Sequence, residues 1–251
     1  MLVDIVVRIV GGNDGEAEDW VSRGLNFDRY YSKSNRRLWL LGIGKNGWST
    51  RADCADLANK TVNRIKEQVK PGEDRGILCL HGNSAGGRAA LEVAVKLTAA
   101  GIPITFLGIE DAAFFPYETD SRPNFTPKGI PASGIPYNTP EFDVKTISAD
   151  KKVNYYQTGG NWMELTSNKR DAFEWWCSSM LGKEIHGKIS GWSDQENIDL
   201  KSEIATWMTD REKHDKADEI ALANNRAAIN KILDDLPSSQ DSQRTPPVWK
   251  G

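Results

Sequence analysis

Residues 76–87, GILCLHGNSAGG, decide the fold of this chain. An apolar run leads into a G-x-S-x-G frame at residues 82–86, and a helix-compatible segment, residues 87–97, follows at once. In a strand, sharp turn and helix, this frame acts as a nucleophile elbow, because the turn strains the serine backbone and lifts its hydroxyl clear of the sheet. The sequence therefore predicts that Ser84 is a nucleophile.

Apolar strands alternate with helical patterns along the rest of the chain. Strands are predicted at residues 2–10, 38–43, 76–81, 104–109 and 153–157, and helices at residues 17–31, 51–69, 87–97, 170–181, 200–207 and 211–236. This order predicts an α/β fold with a mainly parallel sheet and helices on both faces. Ligands of such sheets bind beyond the carboxyl ends of the strands, where Ser84 and Asp111 both fall.

The regular pattern stops between residues 112 and 149. This stretch is punctuated by Pro116, Pro123, Pro127, Pro131, Pro136 and Pro140. A loop of this length in a compact domain is usually functional, so we interpret it as a lid in which Phe114, Phe115 and Tyr117 contact substrate. The alternative is a proline-stiffened surface segment.

The chain of 251 residues is long enough for one domain with a substantial core. We expect this domain to span residues 1–210. Residues 211–236 form a charged C-terminal helix that packs on the domain edge or meets another chain, with edge packing preferred, and residues 237–251 form a flexible tail.

Composition excludes several classes of partner. The net charge of -3 and the lack of a dense basic run argue against nucleic acid. No apolar run is long enough for an integral membrane segment, and Asp4 and Arg8 interrupt the first strand in a way that a signal peptide does not. The expected location is cytoplasmic, or outside the cell by export without a cleaved signal peptide.

Cysteine usage gives no sign of a metal centre. The three cysteines form no C-x-x-C pair, and Cys79, inside the strand before Ser84, is expected to be a reduced, buried thiol. The sequence implies no metal and no cofactor, and it leaves the oligomeric state open.

A serine nucleophile needs a base to take its proton and an acid to orient that base. The chain has three histidines. His81 directly precedes the G-x-S-x-G frame and is expected to pack or to hydrogen-bond, whereas His214 lies on the charged helix and is interpreted as solvated. By elimination His186, in a glycine-flanked segment, is the predicted base.

The predicted orienting acid is Asp111, because it ends the strand after the nucleophile helix. Its neighbour Glu110 should face the other way, and Asp143 and Asp150 remain alternatives nearer the next strand. An oxyanion hole needs two backbone N–H groups. The residue after the serine, Ala85, is expected to supply one, and Gly12 in the loop after the first strand the other.

The stretch from Ile77 to Gly87 resembles the elbow of bacterial α/β-hydrolases of the lipase and esterase type. The ends of the strands at residues 109–111 and 153–157 are similar to a group of small lipase-like proteins, some of them secreted antibacterial effectors. This resemblance implies the chain order nucleophile, acid and histidine, which Ser84, Asp111 and His186 follow. It also implies a histidine at the start of a late H-x-x-I-D stretch, where this chain has Gln195.

Two hypotheses follow. In the first, the protein is a serine esterase that hydrolyses a small-molecule or lipid ester through an acyl-enzyme intermediate. In the second, it is a catalytically impaired protein of the same fold that binds a ligand or a protein partner. Glutamine cannot take the serine proton at neutral pH. The first hypothesis therefore requires that His186 takes over as base in place of Gln195, and the second requires that no histidine reaches Ser84.

The lid interpretation can be tested with ester substrates whose acyl chains differ in length. Replacing Phe114 and Phe115 together with Ala should raise KM for long acyl esters more than for acetyl esters, because ester pockets are mostly apolar. Steady-state kinetics with nitrophenyl esters of increasing acyl length would measure this. An equal change at every length would count against contact with the acyl chain.

Overall fold

In the computed structural model the described residues are 1–11, 15–27, 30, 35–45, 51–112, 138–139, 142–157, 188–189, 191–208 and 210–237. The β-strands, in chain order, are β1 (Leu2–Gly11), β2 (Gly15–Glu16), β3 (Arg36–Lys45), β4 (Asp74–Asn83), β5 (Ile104–Glu110), β6 (Asn138–Thr139), β7 (Phe142–Asp143), β8 (Ala149–Tyr156) and β9 (Asn197–Asp199). The helices are α1 (Asp19–Ser22), α2 (Arg51–Glu67), α3 (Ala85–Ala99) and α4 (Asp210–Asp234), with 3₁₀ turns at Val144–Thr146 and Leu200–Glu203.

The main sheet has the strand order β2-β3-β1-β4-β5-β8-β9. From β3 to β9 all neighbouring strands are parallel, and the short β2 is antiparallel to β3. A second, two-stranded sheet pairs β6 with β7. The predicted α/β class with a mainly parallel sheet is therefore confirmed for the described part of the chain.

Alternating side chains of β1 divide the core into two layers. Val3, Ile5, Val7 and Ile9 pack in the cluster that holds the buried faces of α2 and α3. Val6 faces the opposite side, in the cluster that contains Ile229 of α4. Successive strand residues point to opposite faces, so one strand supplies both layers and the sheet is covered on both sides, as predicted.

The C-terminal helix belongs to the core. Its buried residues follow helical spacing and are His214, Ala217, Ala221, Asn225, Ile229 and Leu233. Ile229 and Leu233 share a cluster with Cys79 of β4 and Phe106 of β5. The expectation of packing on the domain edge was wrong, because the helix covers the face of the central strands.

Two other predicted helices are shorter than expected. Of the described residues between 17 and 30, only Asp19–Ser22 are helical; the helix ends at Ser22, and Gly24 shortly after it has a left-handed φ of 81°. Of residues 200–207 only Leu200–Glu203 form a helical turn, of the 3₁₀ type. The predicted helix at residues 170–181, residues 113–137 and 140–141 of the predicted lid, and the tail from residue 238 lie outside the described residues.

Cys79 is buried and free, as predicted, and burial raises the pKa of its thiol.

Among the described residues, none of the helices is both long enough and apolar enough to cross a bilayer.

The packing of α4 predicts a large stability difference between two positions on that helix. Ile229→Ala should lower the free energy of unfolding by about 2–5 kcal/mol, because Ile229 is fully buried against the sheet. Lys231→Ala, at an exposed position of the same helix, should change it by no more than about 0.5 kcal/mol. Urea unfolding followed by circular dichroism would measure both, and similar values would contradict the packing of α4 on the sheet.

Candidate active site

Ser84 lies in a strained turn between β4 and α3. Its backbone has φ 53° and ψ -128°, a conformation that costs a non-glycine residue about 1–3 kcal/mol. Such strain persists only where the surroundings enforce it and is concentrated at functional sites. Its amide donates to Glu110 O at 3.0 Å, which fixes the turn against the end of β5.

Three glycines let the backbone close around this turn. A Cβ on Gly82 would lie 2.5 Å from Gly86 O, and a Cβ on Gly86 would collide with Ile9 O. A Cβ on Gly11, at the end of β1, would lie 3.0 Å from Ala85 N. The loop after β1 therefore begins directly beside the predicted oxyanion donor Ala85. Gly12, the other predicted donor, lies outside the described residues.

Asp111 follows the carboxyl end of β5, the strand beside β4. It is fully buried, and its φ of 40° makes it another strained residue. Its Oδ1 accepts a hydrogen bond from Gln157 N at 3.1 Å, and its Oδ2 lies 2.7 Å from His214 Nδ1. The structure thus gives the predicted acid a histidine partner.

His214 is only 5% exposed, so its interpretation as a solvated residue was wrong. The sequence carried a signal for its burial, because His214 precedes Ala217 and Ala221 by three and seven residues and so shares their face of α4. The high charge of this helix obscured that spacing. The predicted base His186 lies outside the described residues.

A bond between Asp111 and Nδ1 leaves Nε2 of His214 as the nitrogen able to take a proton from a nucleophile. This nitrogen lies 3.8 Å from Asp218 Oδ2, and that oxygen accepts a hydrogen bond of 2.9 Å from Asn83, the residue before Ser84. Within the described residues no hydrogen bond joins Ser84 to His214.

The alternative acids Asp143 and Asp150, and Gln195, do not lie at this edge of the sheet. Asp143 caps the 3₁₀ turn by accepting from Lys145 N at 2.9 Å, and Asp150 is exposed at the start of β8. Gln195 is exposed and lies two residues before β9, on the amino-terminal side of a strand parallel to β8. Phe114, Phe115 and Tyr117, the predicted substrate contacts, lie outside the described residues.

Beneath the candidate site lies a buried charged cluster centred on Glu110. Its carboxylate contacts His81 Nδ1 at 2.6 Å, Asn225 Nδ2 at 3.0 Å and the Arg8 guanidinium at 3.2 Å. Although burial opposes ionisation, the charge and hydrogen bond of His81, with Arg8 and Asn225, lower the pKa of Glu110 to about 2. His81 is thus a buried hydrogen-bonding residue, as predicted. Glu110 contacts Asn225 and Asp111 contacts His214, both on α4, so the expectation that Glu110 faces the other way from Asp111 was wrong.

A scan against protein-family models and searches of curated proteins and of solved structures found no match. The interpretation of the site therefore depends on its own geometry and on the likeness of the elbow.

Glu110 should make the stability of the protein pH-dependent. A carboxyl whose pKa is lower in the folded state stabilises the fold above its unfolded pKa of about 4.5, and this contribution is lost as the pH falls towards 2. The lowered pKa of Glu110 corresponds to roughly 3 kcal/mol of the free energy of unfolding at neutral pH. Glu110→Gln should therefore be less stable than the parent at pH 7, with a difference that shrinks below pH 4.5. Urea unfolding at several pH values would test this, and a difference independent of pH would contradict it.

Proposed function

We propose that this protein is a serine hydrolase of the α/β-hydrolase type that acts on carboxylic esters, with Ser84 as nucleophile, His214 as base and Asp111 as orienting acid. The observation that carries this proposal is the convergence of a strained serine and a buried Asp111–His214 pair at the ends of neighbouring strands. The choice of esters comes from the likeness of the elbow to those of lipases and esterases.

The order of the three residues along the chain supports the assignment. Ser84, Asp111 and His214 follow the order nucleophile, acid and histidine that is typical of α/β-hydrolases. His214 stands on the helix that follows β9, the last strand of the main sheet in the described part of the chain. In this proposal His214 replaces His186, and the glutamine at position 195 has no bearing on the base.

The proposed reaction begins with attack of Ser84 Oγ on the ester carbonyl carbon. His214 Nε2 takes the hydroxyl proton and later gives it to the leaving alcohol, while Asp111 keeps the other ring proton on Nδ1 and stabilises the imidazolium. Water, activated by the same nitrogen, then hydrolyses the acyl-enzyme. This requires a hydrogen bond between Ser84 Oγ and His214 Nε2 to form when substrate binds; catalytic hydrogen bonds are commonly long or misaligned without ligand.

Negative charge develops on the carbonyl oxygen during the attack. In this proposal the amide of Ala85, at the first position of α3, stabilises this charge, and the positive end of the helix dipole adds to the effect. The second donor is assigned to Gly12, because it directly follows Gly11, whose backbone lies beside Ala85 N. Loss of one such donor typically costs about 10²–10³ in kcat.

Labelling with a fluorophosphonate probe, followed by peptide mass spectrometry, tests the nucleophile and the base together. The parent protein should be labelled on Ser84, and Ser84→Ala should not be labelled. His214→Ala, which lacks the proposed base, should be labelled far more slowly than the parent and should turn over nitrophenyl esters at least about 10³-fold more slowly. His186→Ala is the matched control and should keep parental rates.

Loss of activity in His186→Ala with retention in His214→Ala would return the base to His186. Absence of labelling in a folded parent protein would favour the non-catalytic hypothesis. Thioester and amide substrates belong in the same panel, since one triad can serve all three bonds.

A further inference from the structure

Asp218 is a carboxylate at the site that the triad does not use. It lies one helical turn after His214 on α4, and its side chain is 19% exposed. Its Oδ2 is 3.8 Å from Nε2 of His214, the nitrogen that would take the Ser84 proton. Its Oδ1 is buried and has no hydrogen-bond partner among the described residues. His214 therefore has a carboxylate near each of its ring nitrogens.

The same oxygen is linked to the loop after β1. Asn83 Nδ2 donates to Asp218 Oδ2 at 2.9 Å, and Asn83 Oδ1 accepts from Gly11 N at 3.3 Å. Asn83 thus connects the helix that carries the histidine to the strand end beside Ala85. Movement of Asp218 would disturb both the base and the start of this loop.

The charge of Asp218 is sensitive to its surroundings. From α4 it faces His214, from β5 Asp111 and Glu110, and from β4 the neutral Asn83. Burial raises the pKa of Asp218 to about 7; the two β5 carboxylates add to this, whereas His214 and Asn83 oppose it. The protonation of Asp218 is therefore coupled to the charge of His214, its neighbour at 3.8 Å.

We propose that Asp218 is a positioning residue that attracts the protonated form of His214 through Nε2 and anchors the Gly11 end of the oxyanion loop through Asn83. An ionised carboxylate beside Nε2 favours the imidazolium, which cannot accept the Ser84 proton. Asp218 thus sets the pH at which the base becomes available. The kinetic part of this proposal rests on the proposed hydrolase function.

Asp218→Asn separates charge from anchoring, since the amide oxygen can still accept from Asn83. It should move the acid limb of the kcat/KM profile, measured between pH 5 and 9, down by about one pH unit, because the imidazolium loses an opposite charge. Asp218→Ala should give the same shift and also a lower kcat, because the anchor is lost. Glu219→Gln, an exposed neighbour paired with Lys216, is the control and should leave the profile in place.

Nuclear magnetic resonance of the imidazole C–H signals gives a readout that needs no turnover. With three histidines in the chain, His214→Gln identifies the His214 signal by its loss. The titration midpoint of this signal should lie about one pH unit lower in Asp218→Asn than in the parent and in Glu219→Gln.

A parental midpoint in both Asp218 variants would overturn the proposal, whether or not the protein is an enzyme. A shifted midpoint in a protein that neither turns over esters nor labels at Ser84 would support the effect of Asp218 on His214 and refute the hydrolase function alone. A shifted midpoint with an unshifted acid limb in an active enzyme would overturn control of the base by Asp218.

Discussion

The close approach of backbone atoms around Ser84 is the constraint on which the rest of the structure depends. Gly82 and Gly86 bring β4 and α3 together more tightly than any side chain permits, with Ile9 of β1 directly against them. The strained conformation of Ser84 is stable only inside this frame, which the central strands β1, β4 and β5 supply from the middle of the sheet. The fold stabilises the turn, and the turn places the hydroxyl.

The second organising feature is the adjacent pair of carboxylates Glu110 and Asp111. Glu110 ends β5 and faces the buried cluster of Arg8, His81 and Asn225, whereas Asp111, one residue later, meets His214. Glu110 contacts Asn225 and Asp111 contacts His214, and both partners lie on α4. One helix therefore packs against both the buried charged cluster and the candidate site. Burial makes each of these groups depend on its partner, because an unpaired buried charge is costly. The helix and the ends of β4 and β5 are therefore coupled energetically.

Much of the fold could be predicted from the sequence because it follows from local periodicity. Short apolar runs that alternate with helical patterns are typical of the buried strands of a parallel sheet, and they predicted β1, β3, β4 and β5. The helices α2 and α3 likewise show a broad apolar face. Prediction failed where the local pattern was weak. The predicted first helix ends at Ser22, shortly before the left-handed Gly24, and the thin apolar stripe of α4 did not distinguish the edge of the domain from its face.

For the candidate site, the sequence by itself determined the positions of Ser84, Ala85 and Asp111 at the ends of strands and the start of a helix, because local pattern defines each of these boundaries. Only the tertiary structure decided that His214 meets Asp111 and that Asp218 lies beside it, since these contacts join residues more than a hundred positions apart or depend on which face of α4 is buried. The sequence-based choice of His186 as base eliminated the other two histidines by chemical role, without any distance from Ser84 or Asp111. The partner of a buried carboxylate is set by packing in three dimensions, and no pattern within one segment encodes it.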